Sequence, residues 1–230
     1  MLQEGIATVC TAYEQAPVLA AEGTHTVSTD EMTGIQALER TDVKPMRPGD
    51  VERVEFEYIR HGTQCLLANF DVVSGQVIAP TVSDTRTEVD FVAHLHQTVA
   101  LAPQAGWVFV TDQLNTHKSE SLVRWVAEAC GIREDLGIKG RRGILKSMET
   151  RARFLTDPTH RIRFVYTPKH TSWLNQVEIW FSILVRRLLK RGNFRSKQHL
   201  KERILAFIQY FNATLAKPFQ WTYKGKALKA

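Results

Sequence analysis

Three acids occupy positions where a carboxylate needs a reason. The segment LNQVEIWFSILVRRLL, residues 174–189, repeats apolar residues at Leu174, Val177, Phe181, Leu184, Val185 and Leu188, the spacing of an amphipathic helix. Glu178 falls four residues after Leu174 and three before Phe181, near the face that packs inward. A carboxylate there is destabilising unless a cation or a donor meets it. Asp112 ends the apolar run GWVFVTD, and Asp30 follows THTVST. Two aspartates at strand ends and a glutamate on a packed helix can meet at the carboxyl edge of a parallel sheet, where ligand sites of α/β proteins gather. Gathered carboxylates raise one another's pKa unless a cation neutralises them, and hard oxygen donors suit Mg2+ or Mn2+. Two such ions, roughly 4 Å apart, serve phosphodiester cleavage by activating a water and stabilising the leaving oxygen. Taken alone, the residues leave a second reading open. Glu178 could pair with one of the basic residues that follow it, while Asp30 and Asp112 cap their own turns.

The elements that must position these acids are legible along the chain. Residues 1–22 read as a linker-like helix, and residues 24–29 as a short strand ending at Asp30. DVKPMRPGD (42–50) carries two prolines and a glycine and reads as a loop. RVEFEYIR, TQCLLANFDVV and QVIAPTVS read as strands, with a hairpin turn at Ser74 and Gly75. A helix begins after Thr87 as N-cap, the strand GWVFVT follows, and a second helix closes at Gly131. Residues 131–160 are basic and irregular. RIRFVY is a last strand, stopped by Pro168, and leads into the Glu178 helix and one long final helix. The order predicts an α/β domain with a mixed sheet, antiparallel early and parallel later.

At 230 residues and 43% hydrophobic, the chain can bury a full core. Its net charge of +6 hides a division. Residues 1–138 hold 9 Lys and Arg against 20 Asp and Glu, a net of −11; residues 139–230 hold 21 against 4, a net of +17. A basic half of that size is the footprint of a polyanion binder, with nucleic acid favoured over an acidic membrane. Cys10, Cys65 and Cys130 are scattered, so neither a disulfide framework nor a zinc knuckle is expected. The first residues include glutamates and no basic leader, and no apolar run reaches the length of a membrane span. A cytoplasmic protein is the expectation.

Three ordered segments then resemble one family. YTPKHTSWLNQVEIWF is similar to the Tyr-Ser-Pro…Leu-Asn-Pro-x-Glu-x-x-Trp signature of the IS630 and Tc1/mariner superfamily of DDE transposases. Pro168, Leu174, Asn175 and Glu178 match, Gln176 stands where proline is usual, and Phe181 replaces tryptophan. VFVTDQLNTHKS resembles the second-aspartate motif, with Asp112 and His117 in place and Gln113 for asparagine. VSTDEM resembles the first, with Asp30 in that role and Glu31 beside it.

The resemblance implies an RNase H-like (retroviral integrase-like) α/β fold spanning a catalytic domain over 23–225. It implies a catalytic and metal-binding triad of Asp30, Asp112 and Glu178 holding two Mg2+ (or Mn2+) ions, with His117 and Asn175 as auxiliary positions. The implied reaction is hydrolytic cleavage at element ends, then attack of the freed 3′-hydroxyl on target DNA. The implied partners are terminal inverted repeats, target DNA and a second copy of the chain. The last two acids stand 66 residues apart here, where some 34 is common in the family, and the excess maps to the basic stretch at about 131–160. The helix-turn-helix domains that normally precede the catalytic domain are expected to be absent. A catalytically silent DNA-binding module and an RNase H-type nuclease that cuts without joining are the alternative readings.

Arg141, Arg142, Lys146, Lys169, Arg186, Arg187, Lys190 and Arg191 are the candidates for DNA contact. GIKGRRG (137–143) lacks the Gly-Lys-Ser/Thr ending of a P-loop. His94 and His96, two apart on a helix, do not share a face and are no metal pair. Trp173 and Trp180 flank Glu178 and are read as packing residues rather than base-stacking platforms.

Overall fold

The computed structural model describes residues 2–40 and 58–223. Its centre is a five-stranded sheet in the order β3-β2-β1-β4-β5. β1 (Thr24–Arg40) pairs antiparallel with β2 (Tyr58–Asp71), which pairs antiparallel with β3 (Val77–Ser83). β4 (Gly106–Thr111) lies parallel to β1, and β5 (Ile162–Tyr166) parallel to β4. Helices fill the crossovers, as parallel strands require. They are α2 (Glu88–Val99) and, between β4 and β5, α3 (Glu120–Ala129) and α4 (Met148–Leu155). α1 (Leu2–Ala21) precedes the sheet; α5 (Gln176–Leu184) and α6 (Lys197–Thr214) follow it.

Alternation along the strands sorts the core into two layers. Val27, Leu67, Trp107, Phe109 and Phe164 pack against α2, α3 and α4, through Phe91, Leu95, Leu122, Val126, Phe154 and Leu155. On the opposite face Leu66, Ala68 and Phe70 meet Trp180, Phe181, Ile204 and Phe211 of α5 and α6. α1 joins that face, its Val9, Tyr13 and Ala16 packing with Val72, Val110 and Leu174.

The mixed sheet agrees with the sequence reading, and the expected Thr87 cap is present as a full capping box with Asp90. Three details differ. β1 does not end at Asp30 but runs ten residues further, with register shifts on either side of Ile35 that let the strand pass Gly34 (φ 65°). The pairing with β2 holds residues 31–40 in the sheet where local polarity suggested a stop. The stretch 131–160, expected to be irregular, contains α4, capped by Ser147 and Thr150, with Phe154 and Leu155 in the core. Residues 137–143 form a tight turn closed by the Ile138 N–H to the Arg142 carbonyl at 3.0 Å, with Gly137, Gly140 and Gly143 all at positive φ. The loop expected at 42–50, and most of the strand expected from 53, lie outside the described residues.

Candidate active site

The acids come together through strand register. Ser28 pairs with Val110 across the parallel β1–β4 ladder. Asp112, the first residue past β4, directs Oδ1 to His117, while Asp30, two residues beyond that pair on β1, sends its carboxylate by alternation to the face covered by α1 and α5. α5 is docked there by its first turn: the Val177 N–H donates to Ser28 Oγ at 2.9 Å, and Glu178 is the next residue. The three acids of the sequence reading are thus placed by three different elements at one edge of the sheet.

Their electrostatics record the proximity. Burial pushes the Asp30 carboxyl up to about 7, and the charges of Asp112 and Glu178 push in the same direction against the Glu31 N–H and His117. Glu178, half-buried, is raised by burial and by the charge of Asp112. Asp112 moves the other way. Burial would raise it, but the hydrogen bonds from His117 and the Leu114 N–H, with the charges of His117 and Lys118, hold it below the ordinary range.

His117 is the residue whose environment the sequence concealed. It sits in the short 3-10 turn Thr116–Lys118, a position usually wet, yet it is completely buried, its ring tilted by 32° against Phe91 with 4.2 Å between centroids. Its Nδ1 stands 2.7 Å from Asp112 Oδ1, and its Nε2 3.3 Å from Glu31 Oε2. Glu31 Oε1 in turn accepts from the half-exposed Arg86 at 2.9 Å. Burial would lower the His117 pKa, but the two carboxylates outweigh it and hold the imidazolium up to about 9. Asp30 and Glu31, adjacent in sequence, point to opposite faces as alternation demands. Asp30 faces α5, and Glu31 faces the ring between α2 and β4.

Asn175 is the second residue with a defined partner. Wholly buried, it donates from Nδ2 to Asp30 Oδ2 at 2.9 Å and to the Thr29 carbonyl at 3.1 Å, and accepts a hydrogen bond from Ser28 Oγ. The sequence marked Asn175 but not Ser28, though a residue two before Asp30 on the same strand must share its face. Lys118 lies 4.5 Å over the Tyr166 ring, and its pKa is lowered by burial and by the charge of Lys169, against Asp112. Lys118 therefore lies within electrostatic reach of Asp112, and Lys169 within reach of Lys118. Arg151, from the basic stretch, is buried and braces this turn from behind by donating to the Lys118 carbonyl at 2.7 Å.

The remaining candidates are dispersed. Arg141, Arg142, Lys146, Lys169, Arg186, Arg187, Lys190 and Arg191 are all exposed. Arg142 is paired with Asp135 at 2.5 Å, and Arg186 reaches Ser182 Oγ at 3.1 Å. Arg186 and Arg187 border a groove shared with Phe211, Lys217 and Phe219 at the α6 end of the molecule, rather than the acids. Trp180 is core, while Trp173 is 48% exposed with its edge against Tyr223. His94 is buried against Thr81, and His170 is exposed in left-handed backbone (φ 63°). All three cysteines are free, and among the described residues no helix is long and apolar enough to cross a membrane.

A family model described as DDE superfamily endonuclease matches residues 25–201, more than half of the chain. The chain is similar in structure to the Mos1 transposase catalytic domain solved with raltegravir and Mg. The TM-score is 0.50 at 9% identity, covering 94% of this chain and 86% of that one. The catalytic domain of the Mos1 mariner transposase aligns with TM-score 0.48 at 10% identity, over 91% and 83% of the two chains. The Mos1 strand transfer complex aligns at 0.32 and 14%, over 96% of this chain and 64% of that one. No curated protein matches by sequence. At these identities the first likeness shows the fold, an RNase H-like sheet flanked by helices.

Proposed function

The chain belongs to the DDE superfamily endonucleases, and from that premise we propose that it cuts and rejoins DNA at the ends of a mobile element, with Asp30, Asp112 and Glu178 holding divalent cations. The observation that carries the reading is the convergence of three acids from β1, the end of β4 and α5, with the charges of Asp112 and Glu178 both acting on Asp30. Asp30 is held up to about 7 by burial and by both of the others, a state that bound cations relieve. The donor set fits Mg2+ or Mn2+, which take carboxylate oxygens. Among the described residues no three His, Cys, Asp or Glu side chains are gathered tightly enough to hold an ion as they stand. The proposal therefore requires the carboxylates to turn toward one another on binding.

When bound, such ions supply positive charge to the phosphodiester and favour deprotonation of the attacking oxygen. The chain's own residues do the rest. Asn175 fixes the Asp30 carboxylate through Oδ2. His117 holds Asp112 through Oδ1 and leaves its other oxygen uncommitted to that bond. Lys118 offers positive charge beside Asp112 for a phosphate, with Lys169 near Lys118. The exposed basic residues of the second half supply sequence-independent backbone contacts. The solved Mos1 catalytic domains are described with Mg and with Mn, and other Mos1 structures as paired-end and strand transfer complexes. In keeping with those descriptions, DNA ends, target DNA and a second copy of the chain are the proposed partners.

The test is a joining assay. A labelled duplex with the element end and a free 3′-hydroxyl is mixed with target plasmid and Mn2+. Joined product supports strand transfer; nicking without joining leaves a nuclease of the same fold. DNA retention without either product leaves a binding module.

A further inference from the structure

Asn175 stands at the N-cap of α5, yet its side chain caps nothing, because both ends of the amide are taken by Asp30, Thr29 and Ser28. The first N–H groups of a helix have no partner within it and must find one elsewhere. Two buried hydroxyls provide it. The Val177 N–H donates to Ser28 Oγ at 2.9 Å, and the Gln176 N–H to Tyr13 Oη at 3.3 Å. The same Tyr13 hydroxyl donates to the Leu174 carbonyl at 2.9 Å. One phenol on α1 thus holds the chain on both sides of Asn175, one turn before Glu178. Tyr13 precedes the segment 25–201 that the family model matches.

Packing explains the ring but not the hydroxyl. The Tyr13 ring lies in the cluster of Val9, Val110 and Leu174, edge-on to Trp221 at 4.9 Å, and phenylalanine would fill that space. The hydroxyl is matched to the two backbone groups that an ordinary N-cap would leave to a side chain or to water.

We propose that Tyr13 is a positioning residue of the carboxylate site: beside Ser28, which takes the Val177 N–H that an Asn175 cap would have held, it ties down the Gln176 N–H and the Leu174 carbonyl, leaving Asn175 to hold Asp30 and fixing the turn from which Glu178 projects. The inference rests on the reading of Asp30, Asp112 and Glu178 as a cation site. Loss of the hydroxyl loosens Asn175 and misplaces two of the three carboxylates without emptying any core space.

The experiment compares the full chain with Tyr13→Phe, with Ser28→Ala as a second removal of the same support, and with Ile208→Ala, a core truncation on α6. Two quantities are read: exchange of the Asn175 side-chain amide protons by NMR without metal, and Mn2+ affinity by electron paramagnetic resonance. The expected result is faster Asn175 exchange and roughly tenfold weaker Mn2+ binding in Tyr13→Phe and Ser28→Ala, the usual effect of losing an outer support of a metal site. Ile208→Ala should lower the melting temperature at least as much and change neither quantity. Wild-type Asn175 exchange and Mn2+ affinity in Tyr13→Phe overturn the proposal and leave the cation site standing, as does equal weakening in Ile208→Ala. Should wild type itself bind no Mn2+, the reading of the site fails and the inference falls with it.

Discussion

Replacing Glu31 with glutamine tests the buried chain that runs from Arg86 through Glu31 and His117 to Asp112. The imidazolium is favoured by a rise from 6.5 to about 9, which at 1.36 kcal/mol per unit amounts to about 3 kcal/mol. Asp112, at 2.7 Å, holds the larger share; Glu31, at 3.3 Å, holds the smaller. Removing the Glu31 charge should therefore cost about 1 kcal/mol and bring His117 down toward roughly 8. Because the folded pKa lies above the unfolded one, this stabilisation is complete below 6.5 and is lost as pH rises through about 9. Urea unfolding at pH 6, 7.5 and 9.5, with an NMR titration of the His117 ring, measures both effects. The Glu31→Gln deficit should be nearly full at pH 6 and 7.5, fall between about 8 and 9, and be nearly gone by 9.5. A deficit equal at all three values, or a wild-type His117 that titrates near 6.5, refutes the ion chain.

Two further outcomes concern buried groups. Burial lowers the His94 pKa to about 3, so the folded chain keeps it neutral while the unfolded chain takes up a proton below 6.5. Stability should fall by about 1.4 kcal/mol per pH unit below that point, reaching about 2 kcal/mol at pH 5. Acid unfolding of His94→Leu should lack this component, and an unchanged acid slope would contradict it. Asn175→Asp sets a second buried carboxylate against Asp30, itself raised to about 7. A group raised in this way destabilises most above its folded pKa and is relieved in acid. The variant should lose several kcal/mol at pH 8 and much less at pH 5 in urea melts, and the reverse order would be wrong for this geometry.

The parts of the site that sequence disclosed are those carried by local patterns. Asp112 was visible because it ends a short all-apolar strand, and Glu178 because it interrupts a helical stripe. The nearness of Asp30 and Asp112 follows once the parallel pairing of β1 and β4, with Ser28 opposite Val110, is known. What stayed hidden was set by partners distant in the chain. Nothing near His117 announces a buried ring between two carboxylates, since Glu31 lies 86 residues away. The extension of β1 past Asp30 depends on pairing with β2, which overrides the weak strand preference around Gly34. α4 was missed because RARFL reads as polar, and only contact with β5 and α3 shows which side of it is buried. Tyr13 gave no signal, because its partners Leu174 and Gln176 lie at the other end of the chain.

The central claim, that Asp30, Asp112 and Glu178 hold the divalent cations for DNA strand cleavage, is tested most directly by nicking of supercoiled plasmid carrying the element ends. Wild type, Asp112→Asn and Glu178→Gln are compared with Mg2+, with Mn2+ and with chelator. Wild type should cleave with either ion, and no cleavage should occur in chelator or in either variant while DNA binding persists. Cleavage that survives chelator, or survives loss of Asp112 or Glu178, would contradict the claim.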